Sequence, residues 1–217
     1  MTAVAFAGPV LTALGVAGAL VAVRQGRPWA YGVAKGLASL GVLATALAAG
    51  AAGAGWTAWT LAALAALALS AAGDVALAVP SRRGFLAGLV LFLLAHAAFA
   101  SAFALRGVGA LPLVVAGIGV AGALALGWRA WNARLPPALR VPVAAYALVL
   151  GLMVASALAT GVSHPAPALV VGALLVAGSD LAVARERFAT KGFVNKAIGL
   201  PTYYLGQTLV ALALGGA

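Results

Sequence analysis

The sequence predicts an all-α fold, a polytopic membrane bundle of about eight transmembrane helices, in one integral membrane domain over residues 1–217. Three observations predict it. Hydrophobic residues make up 65% of the chain and charged residues 7%, with a mean hydropathy of +1.14, beyond what a soluble globular domain tolerates. Apolar runs of about twenty residues, the length a helix needs to cross ~30 Å of hydrocarbon, recur from end to end. Their polarity does not alternate as it would in the strands of a membrane barrel.

The runs fall in order. The first, 3–23, has no Lys or Arg before it; a secretory signal peptide carries a basic head, so this reads as a retained first helix. The second, 31–52, holds Lys35 and ends in the glycine-rich turn GAAGAGW. The third, 57–79, carries Asp74 and runs into the short loop PSRRG. The fourth, 85–105, contains His96; the fifth, 109–128, has no ionisable group. The sixth, 141–161, has Tyr146, and the seventh, 166–184, has Asp180. The eighth, 197–216, has Tyr203, Tyr204 and Gln207. With 28 glycines in 217 residues, tight helix–helix contacts are expected. Asp74 then His96 recurs as Asp180 then Tyr203, at offsets of 22 and 23 residues, a hint of a four-plus-four parallel repeat.

Thirteen cations against three acids give a net charge of +10, and their placement separates topology from nucleic-acid binding. Arg24, Arg27, Arg82, Arg83, Arg129, Arg134, Arg140, Arg185, Arg187, Lys191 and Lys196 all fall in the odd-numbered loops. Only Arg106 falls on the other side, and Lys35 lies within a helix. This bias puts the odd loops in the cytoplasm against anionic membrane lipids, and both termini outside. The expected setting is a bacterial inner membrane, with no nucleic-acid partner. Cysteine is absent, which removes disulfides and thiol chemistry.

Two of the three acids, Asp74 and Asp180, stand in apolar runs, and ionisable groups in hydrocarbon mark functional sites by default. At ~1.5 Å of rise per residue, Asp180 lies ~8 Å from the nearest basic loop residue and Tyr146 ~9 Å. On the same scale Asp74 and Lys35 lie ~12 Å in, Gln207 ~16 Å and His96 ~20 Å. The polar side chains therefore share the cytoplasmic half, and a common cavity opening to that leaflet is expected. Plainer readings stand beside this one. The aspartates would also serve as helix-locking ion pairs, His96 as a buried interhelical hydrogen bond, and Tyr203 and Tyr204 as interfacial aromatics. Lys35 would snorkel to the interface or hold a lipid phosphate. Ser70 and Asp74, like Tyr203 and Gln207, are four apart and share a helix face. Glu186, between two arginines, reads as a solvated loop charge, and His164 as structural.

Several chemistries are excluded. With two histidines, one on the far side, a His-based zinc hydrolase site is not assembled, and no metal or cofactor is called for. No GxSxG elbow or phosphate-binding glycine loop exists. A carboxylate pair with His, Tyr and Lys remains, suited to acid–base chemistry.

At these residues the chain resembles the YhhN/TMEM86 family of eight-helix membrane proteins, the lysoplasmalogenases. The resemblance runs from Lys35 to Gln207, through SAAGDVALA, FLLAHAAFA, VPVAAYALVLGLM, GALLVAGSDLAVARERF and PTYYLGQTLVALAL. Where the family pattern often has proline after the helix-two lysine, Gly36 stands here. The resemblance implies hydrolysis of the vinyl ether of a lysophospholipid (lysoplasmenyl-ethanolamine or -choline) to a fatty aldehyde and the glycerophospho-amine. Acid catalysis by two carboxyls parallels glycoside hydrolysis. The expectation is that Asp74 and Asp180 are catalytic, with no order between them. His96, Tyr146, Tyr203 and Gln207 would orient the acids or water, and Lys35 or a loop arginine would hold the headgroup. The alternative is a proton-coupled transporter of a small solute or lipid, or a structural protein locked by buried ion pairs. Oligomeric state is left open.

Overall fold

Among the described residues eight α-helices form where the eight apolar runs lie: α1 Ala3–Arg24, α2 Pro28–Ala52, α3 Ala58–Ala78, α4 Arg82–Arg106, α5 Ala110–Trp131, α6 Pro137–Ser163, α7 Pro167–Phe188 and α8 Phe193–Ala213. This computed structural model describes residues 3–53 and 55–216, with side chains from Phe6; Met1, Thr2, Ala54 and Ala217 lie outside the described residues. Seven of the helices are long and apolar enough to cross a membrane, and the chain is an integral membrane protein. The eighth, α8, is less apolar because it carries Asn195, Lys196, Tyr203, Tyr204 and Gln207.

Starts and stops follow local chemistry. Pro28, Pro137 and Pro167 open α2, α6 and α7, where a missing N–H costs nothing. Thr57 and Thr60 form a reciprocal capping box on α3, and the Ser81 hydroxyl accepts from the Gly84 N–H to start α4, each satisfying an orphan donor. A 3₁₀ turn at Asn132–Arg134 links α5 to α6.

Helices α2, α3, α4, α6, α7 and α8 pack in that order into a ring, closed by α8 against α2. Helix α1 lies on α2 and α8, and α5 lies on α6 with no buried residue. The adjacencies α1–α2, α2–α3, α3–α4 and α4–α6 turn into α5–α6, α6–α7, α7–α8 and α8–α2 when four is added cyclically to each helix number. The two halves thus have the same packing scheme and lend each other their fourth helices.

Glycine sets how closely the hairpins pack. A Cβ on Gly206 would sit 2.7 Å from the Gly172 carbonyl oxygen, so α7 and α8 touch backbone to backbone. A Cβ on Gly73 would meet the Phe92 ring at 2.8 Å, fixing α4 against α3 beside Asp74. At one end of the bundle, Arg24 stacks on Phe193 at 4.5 Å, Arg187 on Phe85 at 4.2 Å and Lys196 on Tyr31 at 5.5 Å. These contacts gather the odd loops at one basic end. At the other end Arg106 stacks on Trp59 and donates to the carbonyls of Ala213 and Gly216.

Candidate functional site

Two carboxylate clusters occupy the ring, each built from both halves of the chain. In the first, Asp74 of α3 lies 2.9 Å from the Lys35 ammonium of α2 through Oδ1. Its Oδ2 accepts from Ser39 at 2.8 Å and from the Tyr203 and Tyr204 hydroxyls of α8 at 3.1 Å each. The Asp74 side chain is 2% exposed. An ionised carboxylate survives such burial only when paired and hydrogen-bonded, and here one cation and three hydroxyls do both. Tyr204 is set further by the Lys35 carbonyl at 3.1 Å.

In the second cluster, Asp180 of α7 accepts through Oδ2 from the Tyr146 hydroxyl of α6 at 2.8 Å. His96 Nε2 of α4 lies 3.2 Å from the same oxygen and 2.9 Å from the Tyr146 hydroxyl. The Asp180 side chain is 20% exposed, and both recorded bonds use Oδ2, leaving Oδ1 without a protein partner. An Nε2–H of His96 suits the acceptor Oδ2, and in the neutral imidazole with that tautomer Nδ1 is an acceptor. His96 Nδ1 and both polar atoms of Gln207 are buried without a protein hydrogen-bond partner.

The clusters share no hydrogen-bonding residue. Between them stands Phe92, whose ring is 5.9 Å from Tyr203, edge-on, and 6.5 Å from His96. Helices α4 and α8 both start at the basic end. One turn beyond the Phe92–Tyr203 contact, ~6 Å along each axis, come His96 and Gln207. Each thus carries unpartnered buried polar atoms one turn beyond that contact.

This geometry redistributes the expected roles. Lys35, expected at a headgroup, is 6% exposed and bound to Asp74, because a cation and a carboxylate at equal depth on neighbouring helices neutralise each other. Asp74 is enclosed by its four donors and 2% exposed, whereas Asp180 keeps 20% exposure. Ser70 donates to the Ala66 carbonyl of its own helix rather than to Asp74. Glu186 is no free loop charge; it accepts from the Gly192 N–H and from Asn195 Nδ2 at 2.7 Å, tying α7 to α8. His164 packs on Gly107 at the far end. Ser39 and Phe92 were missed, although each lies one turn from a residue that was singled out, Lys35 and His96. Among the described residues no three His, Asp or Glu side chains gather as metal ligands would.

Chemically, the first cluster is a neutralised ion pair that locks α2, α3 and α8. The second holds a carboxyl with one restrained and one free oxygen, beside an imidazole able to pass a proton from Nδ1 to Nε2.

Comparison with known proteins shows the family. The model of the YhhN family matches residues 32–214. The lysoplasmalogenase TMEM86B of Sus scrofa is 34% identical over 147 residues, covering 67% of this chain and 59% of the relative; the chain thus spans about three-fifths of that protein's length. No solved structure matches.

Proposed function

The chain belongs to the YhhN family, and from that membership we propose that it is a membrane hydrolase cleaving the vinyl ether of lysoplasmalogens. The products are a fatty aldehyde and glycerophospho-ethanolamine or -choline. The similarity to a lysoplasmalogenase supports the substrate class. The single observation that carries the mechanism is the half-restrained Asp180: Oδ2 held by Tyr146 and His96, Oδ1 free and accessible.

In this reading Asp180 enters protonated on Oδ1 and gives its proton to the alkene carbon beyond the ether-bearing one. The π pair forms the new C–H bond and leaves an oxocarbenium ion. Water held by His96 Nδ1 and the Gln207 amide adds to the oxocarbenium carbon. Its proton passes to Nδ1 while Nε2–H gives one to Asp180 Oδ2, which leaves the imidazole protonated at Nδ1. As the hemiacetal breaks its C–O bond, Nδ1–H protonates the leaving glycerol oxygen, the hemiacetal O–H gives its proton to Asp180 Oδ1, and Oδ2–H returns its proton to Nε2. Aldehyde and the glycerol hydroxyl leave, and the starting state is restored. This is the acid–base logic of glycoside hydrolysis carried by one carboxyl and a histidine. Asp74, neutralised by Lys35, holds Tyr203 and, through it, Phe92 against the site.

By the positive-inside bias, the basic end faces the cytoplasm and the site opens to that leaflet. The test is aldehyde release from purified protein given vinyl-ether and acyl lysophospholipids of equal chain length. Release from the vinyl ether alone is expected. No release from either, by protein that is folded, would sink the reading.

A further inference from the structure

At the basic end, a groove of about 620 Å³ lies between the α5–α6 link and the end of α7, lined by Trp131, Arg134, Arg185, Phe188, Ala189 and Thr190. That volume is in the range of small-molecule sites. Its charge is uncompensated. Among the described residues Lys35–Asp74 is the ion pair made by a Lys or Arg, and the nearby Glu186 carboxylate accepts through Oε2 from Gly192 and Asn195. Arg134 donates once to the Ala130 carbonyl and stacks on Trp131 at 5.5 Å, which orients its guanidinium and leaves further donors. The Arg185 guanidinium makes no hydrogen bond among the described residues.

The groove also has a pole of opposite sign. The N–H groups of Ala189 and Thr190 both turn back to the Arg185 carbonyl, ending α7 beside the groove. The last carbonyls of a helix and its negative dipole end favour a cation, and the Trp131 and Phe188 faces add cation–π attraction for an ammonium. Two guanidiniums next to such a pole match a zwitterion rather than a simple anion.

The spacing fits the site above it. Along α7, Arg185 is five residues past Asp180, a rise of ~8 Å. In a lysoplasmalogen six bonds separate phosphorus from the ether-bearing vinyl carbon, ~7 Å when extended at the reach of two backbone residues. Five residues also turn Arg185 by ~140° from Asp180 about α7, and Arg185 lines the groove together with Trp131 and Arg134 of the α5–α6 link.

We propose that this groove is the headgroup site: phosphate between Arg134 and Arg185, ammonium against Trp131, Phe188 and the end of α7. This rests on the proposed hydrolysis, and it assigns to Arg134 and Arg185 the headgroup contact that Lys35 does not make.

The experiment compares lysoplasmenylcholine with the neutral 1-alkenylglycerol of the same chain, which has the vinyl ether but no phosphate. Arg134→Gln and Arg185→Gln are each expected to raise KM for the phospholipid about tenfold, the scale of one lost charge-assisted hydrogen bond. Their kcat, and turnover of the neutral lipid, should be unchanged. The control Arg82→Gln/Arg83→Gln, at the same basic end but outside the groove, should change neither. An equal KM rise in the control, or none in the groove variants, overturns the assignment in favour of bulk surface charge. A wild type that releases no aldehyde defeats the hydrolase reading instead, and the groove is then judged by binding. Quenching of tryptophan fluorescence by a headgroup spin-labelled lysophosphatidylcholine should weaken about tenfold in the groove variants; unaltered quenching overturns the proposal. Inorganic phosphate competing as well as the lysolipid would mark a free-phosphate site and also overturn it.

Discussion

Lys35 and Asp74 form an ion pair sealed inside the bundle, Nζ to Oδ1 at 2.9 Å, with side chains 6% and 2% exposed. Removing one partner leaves an uncompensated buried charge, which costs about 3–5 kcal/mol, whereas replacing both with apolar residues is often close to neutral. Lys35→Met should therefore unfold early in detergent, and Lys35→Met/Asp74→Leu should recover much of the loss. A double variant no more stable than the single would show that the pair does not lock α2 to α3.

Asp180 has no Lys or Arg partner among the described residues, and the proposed hydrolysis gives it the proton-donor role. Asp180→Asn is expected to melt within a few degrees of wild type while aldehyde release falls by about 10²–10⁴, the usual contribution of a general acid. Tyr146→Phe, which removes one of two bonds to Oδ2, should lose less. Wild-type turnover in Asp180→Asn would transfer the proton-donor role elsewhere.

Gln207 is 2% exposed, and its amide has no protein partner. Gln207→Leu removes a buried polar group and should hold or raise stability, since an unbonded buried amide is worth roughly 1–3 kcal/mol against the fold. If the amide holds the attacking water, the variant should shift product partitioning when methanol is added, raising the mixed acetal relative to aldehyde at similar overall consumption of substrate. Mass spectrometry of products from both proteins reads the ratio; an identical ratio rules out water positioning by Gln207.

Gly206 meets Gly172 backbone to backbone. Gly206→Ala forces α7 from α8 and should destabilise by about 1–3 kcal/mol, as overpacking does. Since α7 carries Asp180 and α8 carries Tyr203, stability and turnover should fall together. A stable Gly206→Ala variant with full turnover would mean that the helices separate without disturbing the site.

Much of the site was legible because burial and charge are costly in hydrocarbon. Asp74 and Lys35 come out at the same depth when residues are counted from the basic loops, and the structure pairs them. Tyr146 and Asp180 likewise lie within ~2 Å of each other in estimated depth, and they share a hydrogen bond. Depth along a helix is a one-dimensional quantity that residue counting measures. Which helix faces which is not. His96 was separated from Asp180 by ~12 Å in that estimate, yet its Nε2 reaches Oδ2, because side-chain length and helix position in the ring intervene.

By itself, then, the sequence determined the helices and pointed to which polar groups lie near one end of them, since apolar length and loop charge act locally. The tertiary structure alone decided that Asp74 is closed off by Lys35, Ser39, Tyr203 and Tyr204 while Asp180 keeps a free oxygen. That difference depends on α8 packing against α2 and α4 against α6, contacts between opposite halves of the chain that no local pattern encodes.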